Sequence, residues 1–80
     1  MQINERVGFQ FQTGADRGDD RISADARQQA IDIACAGKDL TVDQIQRITN
    51  EADIQISVTV SRISGIAYVN VQGNVRARYK

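Results

Sequence analysis

Three aspartates crowd one glycine-containing stretch of this 80-residue chain, and their carboxylates are the first groups that suggest a chemical role. Asp16, Asp19 and Asp20 share the stretch with Arg17 and Arg21. Clustered carboxylates hold a divalent cation or form an acidic patch for a basic partner. The distal glutamate of an EF-hand is absent, and the two arginines would repel a cation. The pattern favours a solvated loop crossed by ion pairs, with a partner-binding patch and a metal loop as open alternatives.

Basic side chains line one face of the last predicted strand and form a second charged surface. Arg76, Arg78 and Lys80 alternate along this strand. Such a face binds phosphates or an acidic protein surface. The same charges also protect an edge strand against edge-to-edge aggregation. The count of basic groups fits both interpretations, so the sequence leaves both open.

Amide and guanidinium groups occupy the solvent face of the first predicted strand. Arg6, Gln10 and Gln12 project from it, and such groups on a strand can read base edges in the major groove of DNA. A strand followed by two helices is also the element order of ribbon-helix-helix repressors. A long loop before the first helix and the further strands speak against that class. A solvated strand face is therefore the preferred interpretation.

The residue types needed for catalysis are missing. Histidine is absent, so Cys35, the single cysteine, lacks the base that usually activates a thiol. No Walker A, GxGxxG, GxSxG or HExxH pattern occurs. We therefore predict that the chain is not an enzyme and uses no cofactor or metal. Cys35 is expected to serve as a small core hydrophobe.

Composition narrows the class of molecule. Ten basic residues balance ten acidic ones, which argues against a general polyanion binder. One cysteine excludes an internal disulfide, and 41% apolar residues is too many for a disordered chain. No long apolar run occurs, and charged and amide side chains in the first twelve residues argue against a signal peptide. We expect one cytoplasmic domain over residues 1–80, without a membrane segment, as a monomer or homodimer.

Alternation of apolar and polar residues predicts four strands that position these groups. Their ranges are 5–12, 54–61, 66–71 and 75–80. Ser64-Gly65 is predicted as a turn and Gln72-Gly73-Asn74 as a hairpin loop that brings Val71 opposite Val75. The stretch 66–71 is apolar on both faces, with Tyr68 on the second face, which is typical of a central strand.

Two helices are predicted between the first two strands. After a loop over 13–21, Ser23 is the expected N-cap of a helix over 24–36. Thr41 and Gln44 fit a capping box that begins the second helix. The buried stripe predicted for the first helix comprises Ala26, Ala30, Ile33 and Ala34, flanked by Ile31. The stripe predicted for the second comprises Val42, Ile45, Ile48 and Ala52.

The predicted element order is therefore β-α-α-β-β-β. It indicates an α+β fold, a two-layer sandwich in which an antiparallel sheet carries both helices on its apolar face. The strand that pairs with the first strand stays open.

A short, charge-neutral, histidine-free chain with this element order resembles the small phage-borne anti-CRISPR proteins. The resemblance covers the whole chain, and residues 9–21 and 54–60 are the stretches to compare first. It implies a stoichiometric inhibitor in the bacterial host cell that binds a type I CRISPR surveillance complex and blocks its access to target DNA. Many such inhibitors that mimic DNA are strongly acidic. This chain is neutral, so the resemblance implies binding by mixed charge and shape.

The leading hypothesis is thus a non-catalytic protein-binding inhibitor whose partner is a protein complex of the host. Charged side chains are expected to carry the binding, through planar and charge-assisted contacts. The predicted partner-binding residues are Asp16, Arg17, Asp19, Asp20, Arg21, Arg76, Arg78 and Lys80. Direct nucleic-acid binding is not expected. The alternative is a small dimeric DNA-binding transcriptional regulator that uses its first strand or its basic C-terminal strand.

Overall fold

A computed structural model describes residues 2–78 and places two helices on one face of a three-stranded antiparallel sheet. The elements are β1 (Gln2–Gly14), α1 (Asp19–Cys35), α2 (Val42–Glu51), β2 (Asp53–Ile63) and β3 (Ile66–Arg78). The predicted α+β class, with an antiparallel sheet and two helices on its apolar face, is confirmed.

The central strand of the sheet is β3, because the strand order is β1-β3-β2. The sequence leaves the pairing of the first strand open, and the structure places this strand antiparallel to β3 over its whole length. The central position predicted for residues 66–71 is confirmed. Residues 79 and 80, predicted to end the last strand, lie outside the described residues.

The predicted hairpin at Gln72-Gly73-Asn74 is wrong, because β3 runs through these residues without a break. Gly73 pairs with Val7 on one side and Ile56 on the other. A Cβ on Gly73 would lie 2.6 Å from the Ile56 Cα and closer still to the Gln55 carbonyl oxygen. This glycine therefore allows a close approach of two backbones and does not form a turn.

The helix α1 begins earlier than predicted. Its N-cap is Gly18, and Asp19 and Asp20 lie in the first turn, where carboxylates favour the positive end of the helix dipole. Ser23, the predicted N-cap, lies inside the helix. The connection between β1 and α1 therefore spans only residues 15–18 and is shorter than the loop predicted over 13–21.

The buried stripe of α1 follows a spacing of four residues. The prediction that Ile33 belongs to it is wrong. Ile33 is 44% exposed, whereas Ile31 is fully buried. Residues spaced by four lie at steadily changing angles around a helix, so the face of α1 that contacts the sheet rotates along its length. Toward the C-terminal end of α1 this face includes Ile31 and excludes Ile33. The buried residues are Ile22, Ala26, Ala30, Ile31 and Ala34.

The second helix begins as predicted but packs through only one half. Thr41 and Gln44 form the reciprocal capping box, with bonds of 3.2 and 2.9 Å. Val42 and Ile45 are exposed, so Ile48 is the only fully buried member of the predicted stripe. Arg27 Nη2 donates to the Thr49 carbonyl at 2.9 Å and ties the C-terminal half of α2 to α1.

Apolar side chains form two clusters along the sheet. The two-helix cluster, which both helices cover, comprises Ile3, Val7, Ala30, Ile31, Ala34, Ile48 and Val75. The one-helix cluster, which only α1 covers, comprises Ile22, Ala26, Ala67, Val69 and Val71. Both lie on the same face of the sheet, so the other face is left free for solvent or a partner.

Candidate binding surface

The outer face of the sheet, opposite the helices, is built from exposed alternate residues of the three strands. Because both neighbours of β3 are in register, these residues form rows that run across the sheet. The rows across β1, β3 and β2 are Gln12-Tyr68-Ser61, Gln10-Asn70-Thr59, Gly8-Gln72-Ser57, Arg6-Asn74-Gln55 and Asn4-Arg76-Asp53. Gln2 and Arg78 form a further pair at the end of the sheet.

This outer face is rich in uncharged hydrogen-bonding groups and poor in acids. Eight of its side chains are amides, and Ser57, Thr59 and Ser61 add hydroxyls. Asp53 is its only acid, against three arginines. The rest of the described chain carries nine acidic and six basic residues. The molecule therefore has a mildly basic sheet face and an acidic helix side.

The three arginines lie together at one end of the outer face. Arg76 and Arg78 are two residues apart on β3, and Arg6 on β1 is a diagonal neighbour of Arg76. Within residues 2–78, none of the three forms an ion pair. Asp53 pairs across the sheet with Arg76, yet its carboxylate accepts from Gln55 Nε2 at 3.3 Å. The three guanidinium groups are therefore available to a partner.

Tyr68 marks the opposite end of the outer face. Its side chain is exposed, with Gln12 and Ser61 beside it on the neighbouring strands. A shallow groove runs past it, lined also by Gln10 and Thr59. The second face of the central strand is thus an open surface, and a ring with a hydroxyl tip suits contact with a partner.

The aspartate-rich stretch is held by ion pairs, as the preferred interpretation predicted. Arg17 binds the Asp25 carboxylate with two bonds of 2.7 and 3.1 Å. Arg62 donates to Asp19 at 2.5 Å and to the carbonyls of Ala15 and Arg17 at 3.0 and 3.2 Å. Two of the predicted binding residues, Arg17 and Asp19, are therefore engaged within the chain. Asp16, Asp20 and Arg21 stay exposed around them.

The structure does not bring the predicted binding residues into one site. The stretch from Asp16 to Arg21 follows the end of β1 that pairs with Ile66. Arg76 and Arg78 lie at the other end of β3, ten or more residues away, or roughly 33 Å along the strand. Lys80 lies outside the described residues. The arginine Arg6, which the sequence placed with a separate strand face, is the actual neighbour of Arg76.

Cys35 lies half-buried beside the two-helix cluster. Burial raises the pKa of its thiol, Lys38 acts in the opposite direction, and Asp32 adds a smaller increase. A raised pKa keeps the sulfur protonated and unreactive, which suits a packing role. Among residues 2–78, no group of three His, Cys, Asp or Glu side chains is arranged to hold a metal ion.

The outer face as a single surface is not predicted from the sequence. The polar residues of β1, β2 and β3 join only through the pairing of β1, which the sequence leaves open. The available signal was the amide content of alternate positions in all three strands, with a single acid among them.

Comparisons with known protein families, with curated proteins and with solved structures find no match to this chain. Neither helix within residues 2–78 has both the length and the apolar character that crossing a membrane requires.

Proposed function

We propose that this protein is a non-catalytic inhibitor that acts by covering part of a macromolecular partner with the outer face of its sheet. The observation that carries the proposal is the composition of that face. It combines amides and hydroxyls with three arginines that have no ion-pair partner within the described chain. Guanidinium groups in such a setting form paired hydrogen bonds with carboxylates.

The charge balance supports a protein partner. Binding to a polyanion gains its strength from many neutralised phosphates, and three arginines supply few. The amides add neutral donors and acceptors, which suit the mixed polar surface of a folded protein. The partner is expected to present acidic side chains to the arginine end and hydrogen-bonding groups along the remaining rows.

A type I CRISPR surveillance complex is the partner to test first, because it is the target that the resemblance to anti-CRISPR proteins implies. Bound to such a complex, the chain would block target DNA by occupying space near its entry path. Direct mimicry of DNA is a poor fit for the outer face, since that face carries more arginines than acids.

Binding of purified protein to a purified type I complex, followed by calorimetry, tests this proposal. The double variant Arg76→Ser/Arg78→Ser should weaken binding by roughly 30-fold, as expected when interface arginines are removed. Arg21→Ser/Arg47→Ser is the matched control, because it removes the same charge from the two helices. Equal losses in the two variants would contradict the proposed face, and no binding by the wild type would reject this partner.

DNA binding by the same face is the second candidate, and one observation favours it. Arg6, Gln10 and Gln12 share the outer face with Arg76 and Arg78, so groups suited to phosphates and to base edges lie together. Gel-shift titrations over a range of salt concentrations test it. Three arginine contacts predict a slope of about −3 for the logarithm of the binding constant against that of salt. Absence of retention at low salt would reject this candidate.

A further inference from the structure

The strand β2 is a free edge that lacks the usual protection against pairing with another chain. Residues 54–61 contain no charged residue and no proline. Native edge strands normally carry charges, prolines or bulges that prevent such pairing. The other edge, β1, carries Glu5 and Arg6, and its uncharged part over 7–14 has two half-covered apolar side chains against four on β2. The edge of β2 is therefore better suited to adding a further strand.

The backbone of β2 presents a regular set of hydrogen-bonding groups to this edge. A two-residue turn at Ser64 and Gly65, with φ of 53° and 80°, joins β2 to β3. In such a hairpin the residues flanking the turn exchange hydrogen bonds, and bonded and non-bonded pairs then alternate. The amides and carbonyls of the even-numbered residues from Ile54 to Val60 therefore point away from β3. Among the described residues 2–78, no backbone bond outside the sheet engages them.

The side chains along the same edge are only half covered. Ile54, Ile56, Val58 and Val60 point toward the helix layer, but each stays between buried and exposed. The helix α2 packs against β3, and α1 lies more over β1 and β3 than over β2, so these four residues are only partly covered. Both the backbone and the apolar side chains of β2 are thus incompletely satisfied within one chain.

We propose that the occupant of this edge is a second copy of the chain, paired antiparallel through β2 about a two-fold axis at Ser57. This register sets Ile54 against Val60 and Ile56 against Val58 of the second copy on the helix side. It sets hydroxyl and amide side chains against each other on the outer face. All four apolar pairs then join residues whose backbone groups point to the edge, so eight backbone hydrogen bonds are expected.

The charges at the ends of β2 favour this arrangement. Asp53 precedes the uncharged segment and Arg62 follows it. A parallel pair in register would set Asp53 beside Asp53 of the second copy, whereas the antiparallel register sets it opposite the uncharged Ser61. A strand from an unrelated protein would pair equally well only if it had the same alternation of uncharged apolar and polar residues. A second copy of the chain has this alternation because its sequence is the same.

The dimer would hold a continuous six-stranded sheet with four helices on one side. The outer faces of the two copies would join into one surface, since the two-fold axis is perpendicular to the sheet. The two arginine ends would lie at diagonally opposite corners, about 30 Å apart from strand rise and strand spacing. A pair of such ends allows simultaneous contact with two sites on a partner.

Sedimentation equilibrium of the full chain over roughly 1 µM to 1 mM tests the dimer, with variants at the proposed axis. Ser57 is exposed, so a charge there is harmless in a monomer but faces its own copy in the dimer. Ser57→Glu and Ser57→Lys should each weaken self-association by roughly tenfold, and mixing the two should restore it. Gln10→Lys on β1 is the matched control and should leave self-association unchanged.

Hydrogen exchange supplies a second readout that needs no substitution. At the high end of the concentration range the amides of Ile54, Ile56, Val58 and Val60 should be protected, and this protection should be lost on dilution. Amides of the odd-numbered residues of β2 should stay protected at both concentrations. A wild-type chain that remains an 8.8 kDa monomer throughout would overturn the proposal. Equal effects of Ser57→Lys and Gln10→Lys would overturn it as well.

Discussion

The two apolar clusters both fill the space between the sheet and the helix layer, but two helices cover one cluster and a single helix covers the other. In the two-helix cluster, α1 and α2 together bury large side chains such as Ile3, Ile31 and Ile48. In the one-helix cluster, Ala26 lets α1 approach the sheet closely, but Phe11, Val58 and Val60 stay half covered. Helix cover, more than the apolar character of the strands, decides which strand residues are buried.

The difference between the clusters explains where the molecule is incomplete. All three strands alternate equally well, so all three offer an apolar face to the helix layer. Two helices cannot cover the full width and length of that face, and more of the half-covered apolar residues lie on β2, four in number, than on β1, where Phe9 and Phe11 are half covered. The strand β2 also carries the uncharged edge, which is why we expect the second copy to bind there.

The largest effect is expected at Gly73, where an added side chain would meet the backbone of β2. Gly73→Ala places a Cβ against the Gln55 carbonyl and 2.6 Å from the Ile56 Cα. Relief requires β2 to move away from β3, so we expect a loss of about 4 kcal/mol or more in the free energy of unfolding. Urea denaturation followed by circular dichroism measures it.

Gly8→Ala is the control for that substitution. Gly8 lies on the outer face with nothing within 4 Å of an added Cβ. Its alanine variant should unfold at the wild-type urea concentration or slightly above it. Similar midpoints for the two variants would mean that β2 does not crowd a side chain at position 73.

A cavity in the two-helix cluster should have the next largest effect. Ile31 is fully buried, so Ile31→Ala should lower the free energy of unfolding by about 2–5 kcal/mol. Ile33→Ala on the same helix removes an equal volume from a side chain that is 44% exposed, and its cost should stay below about 1 kcal/mol. Urea denaturation of both proteins gives the comparison. A larger cost for Ile33→Ala would mean that the helix has the opposite rotation.

The residues chosen for these substitutions also show which features of the fold can be predicted from the sequence. The strands, the capping box of α2 and the helix-bearing face follow from local periodicity and short-range chemistry, and they were predicted. The rotation of α1 at Ile31 and Ile33 depends on the crossing of helix and sheet. The role of Gly73 depends on β2, nearly twenty residues away along the chain. Neither is a local property.

The candidate binding face shows the same limit. Each strand's polar face was recognised, but the arginine end requires Arg6 to lie beside Arg76, and only the pairing of β1 with β3 brings them together. The aspartate-rich stretch follows the same rule. Ion pairs are expected there from charge alternation, but the partners lie outside the stretch: Arg17 binds Asp25 and Asp19 binds Arg62.

Removing the capping box of α2 tests, through a smaller loss of stability, whether the two clusters open independently. Thr41→Ala removes the bond from the Gln44 amide and should cost about 1 kcal/mol. Because α2 covers only the two-helix cluster, hydrogen exchange should quicken in α2 while the amides of β3 beside the one-helix cluster keep their protection. Thr49→Ala, which removes only a bond to the Ile45 carbonyl, is the control. Uniform loss of protection would mean that the two clusters unfold as one unit.

The smallest effect concerns pH at the border of the two-helix cluster. Burial raises the pKa of the Cys35 thiol, so the unfolded chain loses this proton at a lower pH than the folded chain. The stabilisation is therefore fully present below the unfolded pKa, near pH 9.0, and is lost as pH rises through the folded value. Comparing urea midpoints of the wild type and Cys35→Ala between pH 8 and pH 10 isolates this contribution, since all other titrating groups are shared. As pH rises, the urea midpoint of the wild type should fall relative to that of Cys35→Ala. A shift in the opposite direction would mean that attraction to Lys38 outweighs burial and that the thiolate is the favoured form.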